Sequence, residues 1–498
     1  MAETGGREKQ IIDERIRKLN EIRKQGIEPY PNKYNKKQSC DEVAKNNLNS
    51  SVQTAGRLIS KRELGKIAFG KIRDGSGDLQ IVLQKEETPE KEMRIFKKYI
   101  DAGDFIGIKG NVIKTKTGEK SILVKEIKIL SKSIKPLPEK WHGLQDTDER
   151  YRKRYLDILM NTEAKKMFFK KAKFWEAVRD FMKKKGFLEV ETPVLELTTG
   201  GADARPFATH HNDFDVDVFL RISVGELWQK RLMAASFEKT FEIGKVFRNE
   251  GSSAEHLQEF TNMEFYWAYA DYRDGMNLVK QLYRDIAKKV FGKTKFNVNT
   301  YKFDLSDEWR EVDYRQEIID RTGIDILKAD EKEMIEKLRE LDVKYEGENK
   351  ERLIDSLWKY CRKKISGPAF LINEPKSMSP LAKSKPDNPE LTERFHVLLA
   401  GSEIGNGYSE LNDPVDQRER FESQQAMRDS GDEEAQMADY DFVEMLEHGM
   451  PPVCGFGFGE RLFSTLMEKP IRECQMFPLM KPETIKDEEG KQKNNQIK

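Results

Sequence analysis

Five short β-rich runs fall between residues 51 and 132: Val52–Ile59, Ile67–Arg73, Leu79–Leu83, Phe105–Val112 and Ser121–Ile129. Turn signals such as Asp74-Gly-Ser-Gly77 and Lys116-Thr-Gly118 separate them, and one helical stretch, Glu90–Ile100, interrupts them. Branched and aromatic residues in short runs bounded by turns read as strands. Five strands this short predict a small β-barrel rather than a wide open sheet.

That strand count suggests the OB-fold, a barrel that commonly binds oligonucleotides. Charge is distributed accordingly. Residues 1–140 hold 31 Lys and Arg against 20 Asp and Glu, an excess of +11; the whole chain is +1, which leaves −10 on residues 141–498. A basic module joined to an acidic body suits a nucleic-acid-binding attachment, although a solvated lysine-rich surface has the same signature.

The remaining organisation follows from periodicity and punctuation. Residues 1–50 carry an amphipathic helix at about 8–26, with Ile12, Ile16, Leu19 and Ile22 on one face, and a lead-in. The barrel occupies 51–135. Pro136-Leu-Pro138 and the charged run Asp146–Arg154 predict a linker over 136–160. A larger domain, 161–485, opens with a helix at about 161–185 and then alternates strands and helices. Within it, residues 307–365 read as a charged helical insertion or peripheral layer. Residues 486–498 form a polar tail, expected to be disordered from Asp487 on. Cys40, Cys361, Cys454 and Cys474 lack metal-ligand spacing. With no apolar run of about 18 residues and no signal-peptide core, the expectation is a cytoplasmic protein without a membrane span.

Four stretches carry chemistry. In Phe241–Tyr266 two β-rich segments flank a polar loop, with Arg248 and Glu250 at its mouth and Phe260 at its return. Arg248 could clamp a phosphate with two parallel hydrogen bonds, and Phe260 could stack on adenine. Taken alone, an Arg-Asn-Glu at a hairpin is more often a surface salt bridge. Gly455-Phe-Gly-Phe-Gly459 reads as a strand that something approaches closely, running into a helix near Glu460 with Arg461 as a second phosphate ligand. A packed glycine strand is the plainer alternative. Glu403, Asn406, Tyr408 and Glu410 are expected to share one face of a strand, where carboxylates are costly unless they meet a metal or an ammonium. Glu226 opens the apolar helix Leu227–Ala235, where it would by default favour the helix dipole.

In combination these stretches resemble the signature motifs of class II aminoacyl-tRNA synthetases. Lys185-Gly-Phe-Leu-Glu-Val-Glu-Thr-Pro193 is similar to motif 1, residues 241–266 to motif 2 and residues 455–467 to motif 3. Within that class, five strings resemble the lysine-specific branch: Trp141-His-Gly-Leu144, Arg150–Asp157, Gly200–His211, Ser379-Pro-Leu-Ala382 and Asn406–Asn412. The resemblance runs from about residue 10 to about residue 482. It implies an α+β protein: an N-terminal five-stranded OB-fold barrel that binds the anticodon, and a catalytic domain built on an antiparallel sheet flanked by helices. The reaction implied is ATP-dependent activation of L-lysine and its transfer to tRNA(Lys), with Mg²⁺, by a homodimer joined near motif 1.

Carried over by residue, the resemblance implies three catalytic residues, Arg248, Glu250 and Arg461. ATP would be held by Arg248, His256, Phe260, Glu403 and Arg461. Gly201 and Glu226 would take the α-amino group of lysine. Glu264, Tyr266 and Glu410 would take its ε-ammonium. Tyr408, where many relatives have Phe, would pack on its stem, and Arg248 and Asn406 would meet its carboxylate. Glu403 would ligate Mg²⁺. The anticodon would meet Arg62, Phe69, Gln80 and Glu119. Three positions depart from the family pattern: Glu255 stands where a basic residue is common, His396 where many relatives carry a second Mg²⁺-binding carboxylate, and motif 3 is one residue shorter before Arg461. The acidic pocket argues against an aspartyl or asparaginyl enzyme. The barrel argues against a ligase that lysylates a protein. Retention of Arg248, Glu250, Glu403 and Arg461 argues against a non-catalytic RNA-binding paralogue.

Overall fold

The computed structural model describes residues 2–138, 144–202, 204–251, 253, 256–345, 347, 349–430, 436–482, 485–486 and 492–493. Trp141-His-Gly143, Glu255 and most of the polar tail therefore lie outside the described residues. The chain divides into two compact units, Met1–Thr147 and Asp148–Lys498.

The first unit opens with a helix, Ala2–Lys24, that starts earlier than the sequence periodicity suggests. Its strands are β1 (Ser51–Leu64), β2 (Ile67–Arg73), β3 (Asp78–Gln84), β4 (Phe105–Lys114) and β5 (Lys120–Ser131), with a helix at Glu90–Tyr99. They close as a barrel in the order β1-β2-β3-β5-β4. Inward residues Leu58, Ala68, Ile72, Ile81, Leu83, Ile106, Ile108, Ile122 and Val124 fill it, which is the period-2 pattern of a strand with one buried face.

The second unit is built on an eight-stranded sheet. In chain order its strands, with two smaller sheets between them, are β6 (Leu188–Glu189), β7 (Leu195–Glu196), β8 (Phe207–His211), β9 (Val216–Leu220), β10 (Lys239–Phe247), β11 (Glu259–Ala268), β12 (Lys295–Val298), β13 (Tyr301–Asp304), β14 (Arg310–Asp313), β15 (Ala369–Ile372), β16 (Arg394–Leu399), β17 (Ser402–Ser409) and β18 (Val453–Gly459). The large sheet has the order β14-β15-β16-β17-β18-β11-β10-β6 and is antiparallel except at its two outer pairs. Helices Thr162–Lys184 and Tyr272–Ile286 cover one face around Phe174, Val178, Phe265, Leu282, Phe456 and Phe458. That leaves the other face free to hold a site.

Two segments differ from the sequence reading. The charged run placed in a linker forms helices Thr147–Arg152 and Arg154–Met160. Its charges are matched within the fold: Arg150 and Arg154 both meet Asp157, and Arg150 reaches Glu473 at 3.4 Å. The 307–365 segment is no mere outer layer. It supplies β14 at the edge of the sheet and three helices, Tyr314–Thr322, Glu331–Glu340 and Lys350–Arg362, with a core of their own around Ile318, Leu338, Leu353, Leu357 and Trp358.

Candidate active site

The register of the central strands builds the floor of one cleft. One row across β16, β17, β18 and β11 reads Arg394, Tyr408, Gly455, Tyr266; the next reads His396, Asn406, Gly457, Glu264. The two glycines sit in the middle of these rows. A Cβ on Gly455 would overlap Glu410 Oε1 and lie 2.6 Å from Tyr266 Cε1, and one on Gly457 would lie 2.8 Å from Glu264 Cγ. The Gly-Phe alternation therefore does two things: its phenylalanines pack into the core beneath, and its glycines leave room for the side chains of neighbouring strands.

The cleft above this floor measures about 410 Å³ and is lined by every cleft residue expected from the sequence: Gly201, Glu226, Arg248, Glu250, His256, Phe260, Glu264, Tyr266, His396, Glu403, Asn406, Tyr408, Glu410 and Arg461. Glu226, Glu264 and Glu410 are 4%, 6% and 1% exposed. Glu264 accepts from the Val224 amide at 2.8 Å, from Asn262 at 3.3 Å and from the Tyr266 hydroxyl at 3.3 Å. Burial, reinforced by the Glu226 charge and opposed by those donors, pushes its carboxyl up to about 7. Burial likewise pushes Glu410 up to about 8, with Lys230 opposing. Glu226 begins the helix Glu226–Ala234, as expected, but accepts from Lys230 at 2.8 Å and from the Tyr408 hydroxyl. Its second oxygen faces Gly201, whose φ of +87° suits glycine and where a Cβ would come within 2.6 Å of Glu226 Oε2.

At the far end of β11, Phe260 lies under the Arg248 guanidinium, 5.4 Å from ring centroid to Cζ, and beside Gly459. Arg248 also donates to the Ile222 carbonyl at 3.3 Å, His256 meets Ser253 at 2.8 Å, and the Glu250 carbonyl accepts from Gln258 at 3.4 Å. Arg461 begins the helix Arg461–Met467 and reaches the Glu403 carbonyl at 3.4 Å.

The sequence reading places Glu403 on one face with Asn406 and Tyr408, but it lies an odd number of residues from them, so strict alternation puts it on the opposite face. A register shift next to Val397 corrects this: Gly405 pairs with Val397 and Glu403 with Leu398, which returns Glu403 to the cleft side. Trp358 donates to it at 2.5 Å, Arg362 lies at 3.4 Å and His396 Nδ1 at 3.6 Å. Burial pushes the Glu403 carboxyl up, but His396, Arg362 and the Trp358 hydrogen bond outweigh it and hold it at about 2. His396 is itself tied to Glu374 at 2.8 Å. Among the described residues there is no group of three or more His, Cys, Asp or Glu that could enclose a metal.

Two residues went unnoticed in the sequence. Lys230 is 1% exposed and sits between Glu226 and Glu410. Its sequence signal was an i,i+4 Glu–Lys pair, which usually marks a solvated helix face. Arg394 lines the cleft and donates to Asn406 at 2.9 Å, to the Met378 carbonyl at 2.7 Å and to Ser379 at 3.0 Å. Its signal was the alternation Arg394-Phe-His396-Val on a core strand.

On the barrel, Arg62 pairs with Phe69 across β1 and β2, and Lys71 with Gln80 across β2 and β3. The buried neighbours Ala68, Leu79 and Ile81 face inward, so Phe69 and Gln80 face out. Gln80 donates to Ser121 on β5 at 2.9 Å, and Glu119 is exposed just before that strand.

The four cysteines are free and buried. Among the described residues no helix is long and apolar enough to cross a membrane.

Comparison with known proteins agrees with this geometry. A family model described as "OB-fold nucleic acid binding domain" matches residues 52–130, and one described as "tRNA synthetases class II (D, K and N)" matches residues 146–481. A protein of Thermosipho africanus named lysine--tRNA ligase is 45% identical over 492 residues, covering 97% of this chain and 98% of its own. Proteins of the same name from Thermosipho melanesiensis and Thermotoga maritima are each 43% identical with the same coverage. The cleft on a glycine-floored antiparallel sheet, the separate five-stranded barrel and these matches make the chain a member of the class II aminoacyl-tRNA synthetases of the D, K and N group.

Proposed function

We propose that the protein activates L-lysine with ATP, forming lysyl-adenylate and pyrophosphate, and then transfers the lysyl group to the 3′-terminal adenosine of tRNA(Lys). The observation that carries this reading is the convergence of Glu226, Glu264 and Glu410, from three distant stretches, in a cleft that also holds Arg248, Phe260 and Arg461. Burying an ammonium costs several kcal/mol unless it is paired. A pocket with three carboxylates supplies that pairing, whereas an acidic amino acid would be repelled. The relatives named lysine--tRNA ligase support the same substrate.

The chemistry needs no side-chain nucleophile. The lysine carboxylate attacks the α-phosphorus in line, pyrophosphate leaves, and the ribose hydroxyl of tRNA then displaces AMP from the adenylate. Catalysis is positioning and charge stabilisation. Arg248 holds the α-phosphate and the lysine carboxylate, and the neighbouring Phe260 ring stacks on adenine. Arg461 takes the γ-phosphate, with His256 and Glu250 at the loop. Glu226 and the backbone near Gly201 hold the α-amino group, Glu264, Tyr266 and Glu410 the ε-ammonium, and Asn406 the carboxylate. Tyr408 walls the stem. Glu403, kept ionised, would hold Mg²⁺, which commonly uses one or two carboxylates together with substrate oxygens. Bound there, the ion supplies positive charge to the phosphates. His396, tied to Glu374, stands at the position of the second carboxylate and is not counted as a ligand.

On the barrel, Phe69 stacks on an anticodon base, with Arg62, Gln80 and Glu119 around it. Exposed apolar side chains around motif 1, Leu188, Val194, Leu195 and Leu197, support a homodimer. Four buried free thiols suit the cytoplasm, where ATP and tRNA are found.

ATP–pyrophosphate exchange screened across all amino acids tests the substrate: lysine alone should support it, and exchange with aspartate would overturn the reading. Glu264→Gln should raise the KM for lysine about tenfold or more and leave that for ATP unchanged. Equal effects on the two would count against the pocket assignment.

A further inference from the structure

We propose that Lys230 is a positioning and specificity-determining residue, the pocket's resident ammonium, which spaces Glu226 from Glu410 and reduces the pocket's charge from three negatives to two. This rests on the reading of that pocket as the lysine site. Lys230 lies one helical turn beyond Glu226, and its Nζ is 2.8 Å from Glu226 Oε1 and 2.5 Å from Glu410 Oε2. The rings of Tyr408 and Phe442 flank the ammonium at 5.4 and 5.8 Å. Burial pushes its pKa down, but the two carboxylates outweigh this and keep it charged.

Lys230 engages one oxygen of each carboxylate and leaves the other. Glu226 Oε2 faces Gly201 and Glu410 Oε1 faces Gly455; neither Glu410 oxygen has a hydrogen bond among the described residues, and Oε2 is held by the Lys230 ion pair alone. Each carboxylate is thus held by its back oxygen and presents its front oxygen. Orienting a group through a fixed partner is how preorganised sites reach their geometry.

Charge counting gives the specificity. Once ionised, as a bound diammonium ligand requires, Glu226, Glu264 and Glu410 bring three negative charges and Lys230 one positive. The other groups facing this cluster add little. Arg394, 6.0 Å from the Tyr408 ring, is matched by Glu374 at 3.2 Å. Glu196, on β7, accepts from Trp228 Nε1 at 3.0 Å and does not line the cleft. The Tyr266 and Tyr408 hydroxyls are pushed well up and stay neutral. The net of two negatives equals the two ammonium groups of free lysine, whose carboxylate is left for the reaction with ATP. An amino acid with one ammonium leaves an unmatched buried carboxylate, which is costly.

The test is a cycle of variants read by the KM for lysine in exchange at pH 7.5. Lys230→Met leaves three negatives; the carboxylates then hold their protons more tightly, and the KM for lysine should rise about tenfold, with its pH dependence moved to higher pH and the KM for ATP unchanged. Glu410→Gln leaves one negative and an ammonium with a single partner, and should raise the KM for lysine. Adding Lys230→Met to Glu410→Gln restores two negatives and removes both members of a buried pair, so the double variant should bind lysine about tenfold better than Glu410→Gln alone. A double variant no better than Glu410→Gln would overturn the proposal, even if Lys230→Met alone fails to fold. If Glu410→Gln itself leaves the KM for lysine unchanged, the reading of the pocket fails, a distinct outcome from failure of the role given to Lys230.

Discussion

The amino-acid pocket and the outer face of the barrel both offer charged and aromatic side chains to a ligand, but under opposite dielectric conditions. In the pocket, Glu226, Glu264, Lys230 and Glu410 are almost wholly buried; Lys230 holds Glu226 and Glu410, and Glu264 is held by Val224, Asn262 and Tyr266. On the barrel, Arg62 and Glu119 stand in water and Phe69 is partly exposed. A charge is worth several times more in the first setting than in the second, where solvent and salt screen it. The pocket should therefore discriminate through geometry and charge count, in steep and coupled steps. The barrel should discriminate through stacking and many shallow contacts.

The sharpest way to break this contrast is at a residue with no charge. Gly455→Ala places a Cβ into Glu410 Oε1 and against Tyr266. Neither can retreat easily, because Glu410 is held by Lys230 and both are buried. A displacement of about 1 Å in such a site costs on the order of 100-fold. Lysine-dependent exchange should fall by that much while the far-ultraviolet circular dichroism stays native. A loss of only a few-fold would mean that the pocket is as tolerant as the barrel surface.

The next largest effect is that of pH. Glu264 and Glu410 have carboxyls pushed up to about 7 and about 8, so below these values the empty pocket holds protons. On the proposed reading of the pocket, lysine binds the ionised forms. Its KM should fall as pH rises from about 6.5 to about 8.5, by up to about tenfold per unit within the window, with the KM for ATP flat. Stability runs the other way. Groups that bind protons more tightly when folded stabilise the fold fully below their unfolded pKa near 4.5 and lose that contribution as pH rises through about 7 to 8. The gain in Tm on adding lysine should therefore be larger at about pH 8.5 than at about pH 6.5. A KM for lysine independent of pH would show that the carboxylates are ionised before lysine arrives.

The same contrast explains what was legible in the sequence. The barrel could be read almost strand by strand, because each strand has one wet and one dry face and the period is local. The cleft was legible mainly through its motifs. Lys230 was not, since a Glu–Lys pair one turn apart looks the same on a wet helix as on a buried one, and only Glu410, 180 positions away, decides which it is. The side of β17 that Glu403 faces depends on a shifted register with β16, which no pattern within β17 records. The helices at 147–160 were missed for a similar reason: Arg150 finds a partner in Glu473, and the chain reads as a solvated linker until that partner is known.

The smallest effect belongs to the barrel. Phe69 lies beside Arg62 on an outward face, with Gln80 nearby and fixed to Ser121. Stacking on an aromatic ring contributes about 1–3 kcal/mol per base, and a partly exposed ring should sit near the lower end, since water covers the surface when the base is absent. Phe69→Ala should therefore reduce kcat/KM for tRNA by about fivefold and leave lysine-dependent exchange at the native rate. The loss should deepen little as salt rises, because a π-face, unlike Arg62, is not screened. If exchange falls together with charging, Phe69 acts on the cleft rather than on the anticodon, and the division of labour between a buried, charge-counting pocket and an exposed, stacking barrel does not hold.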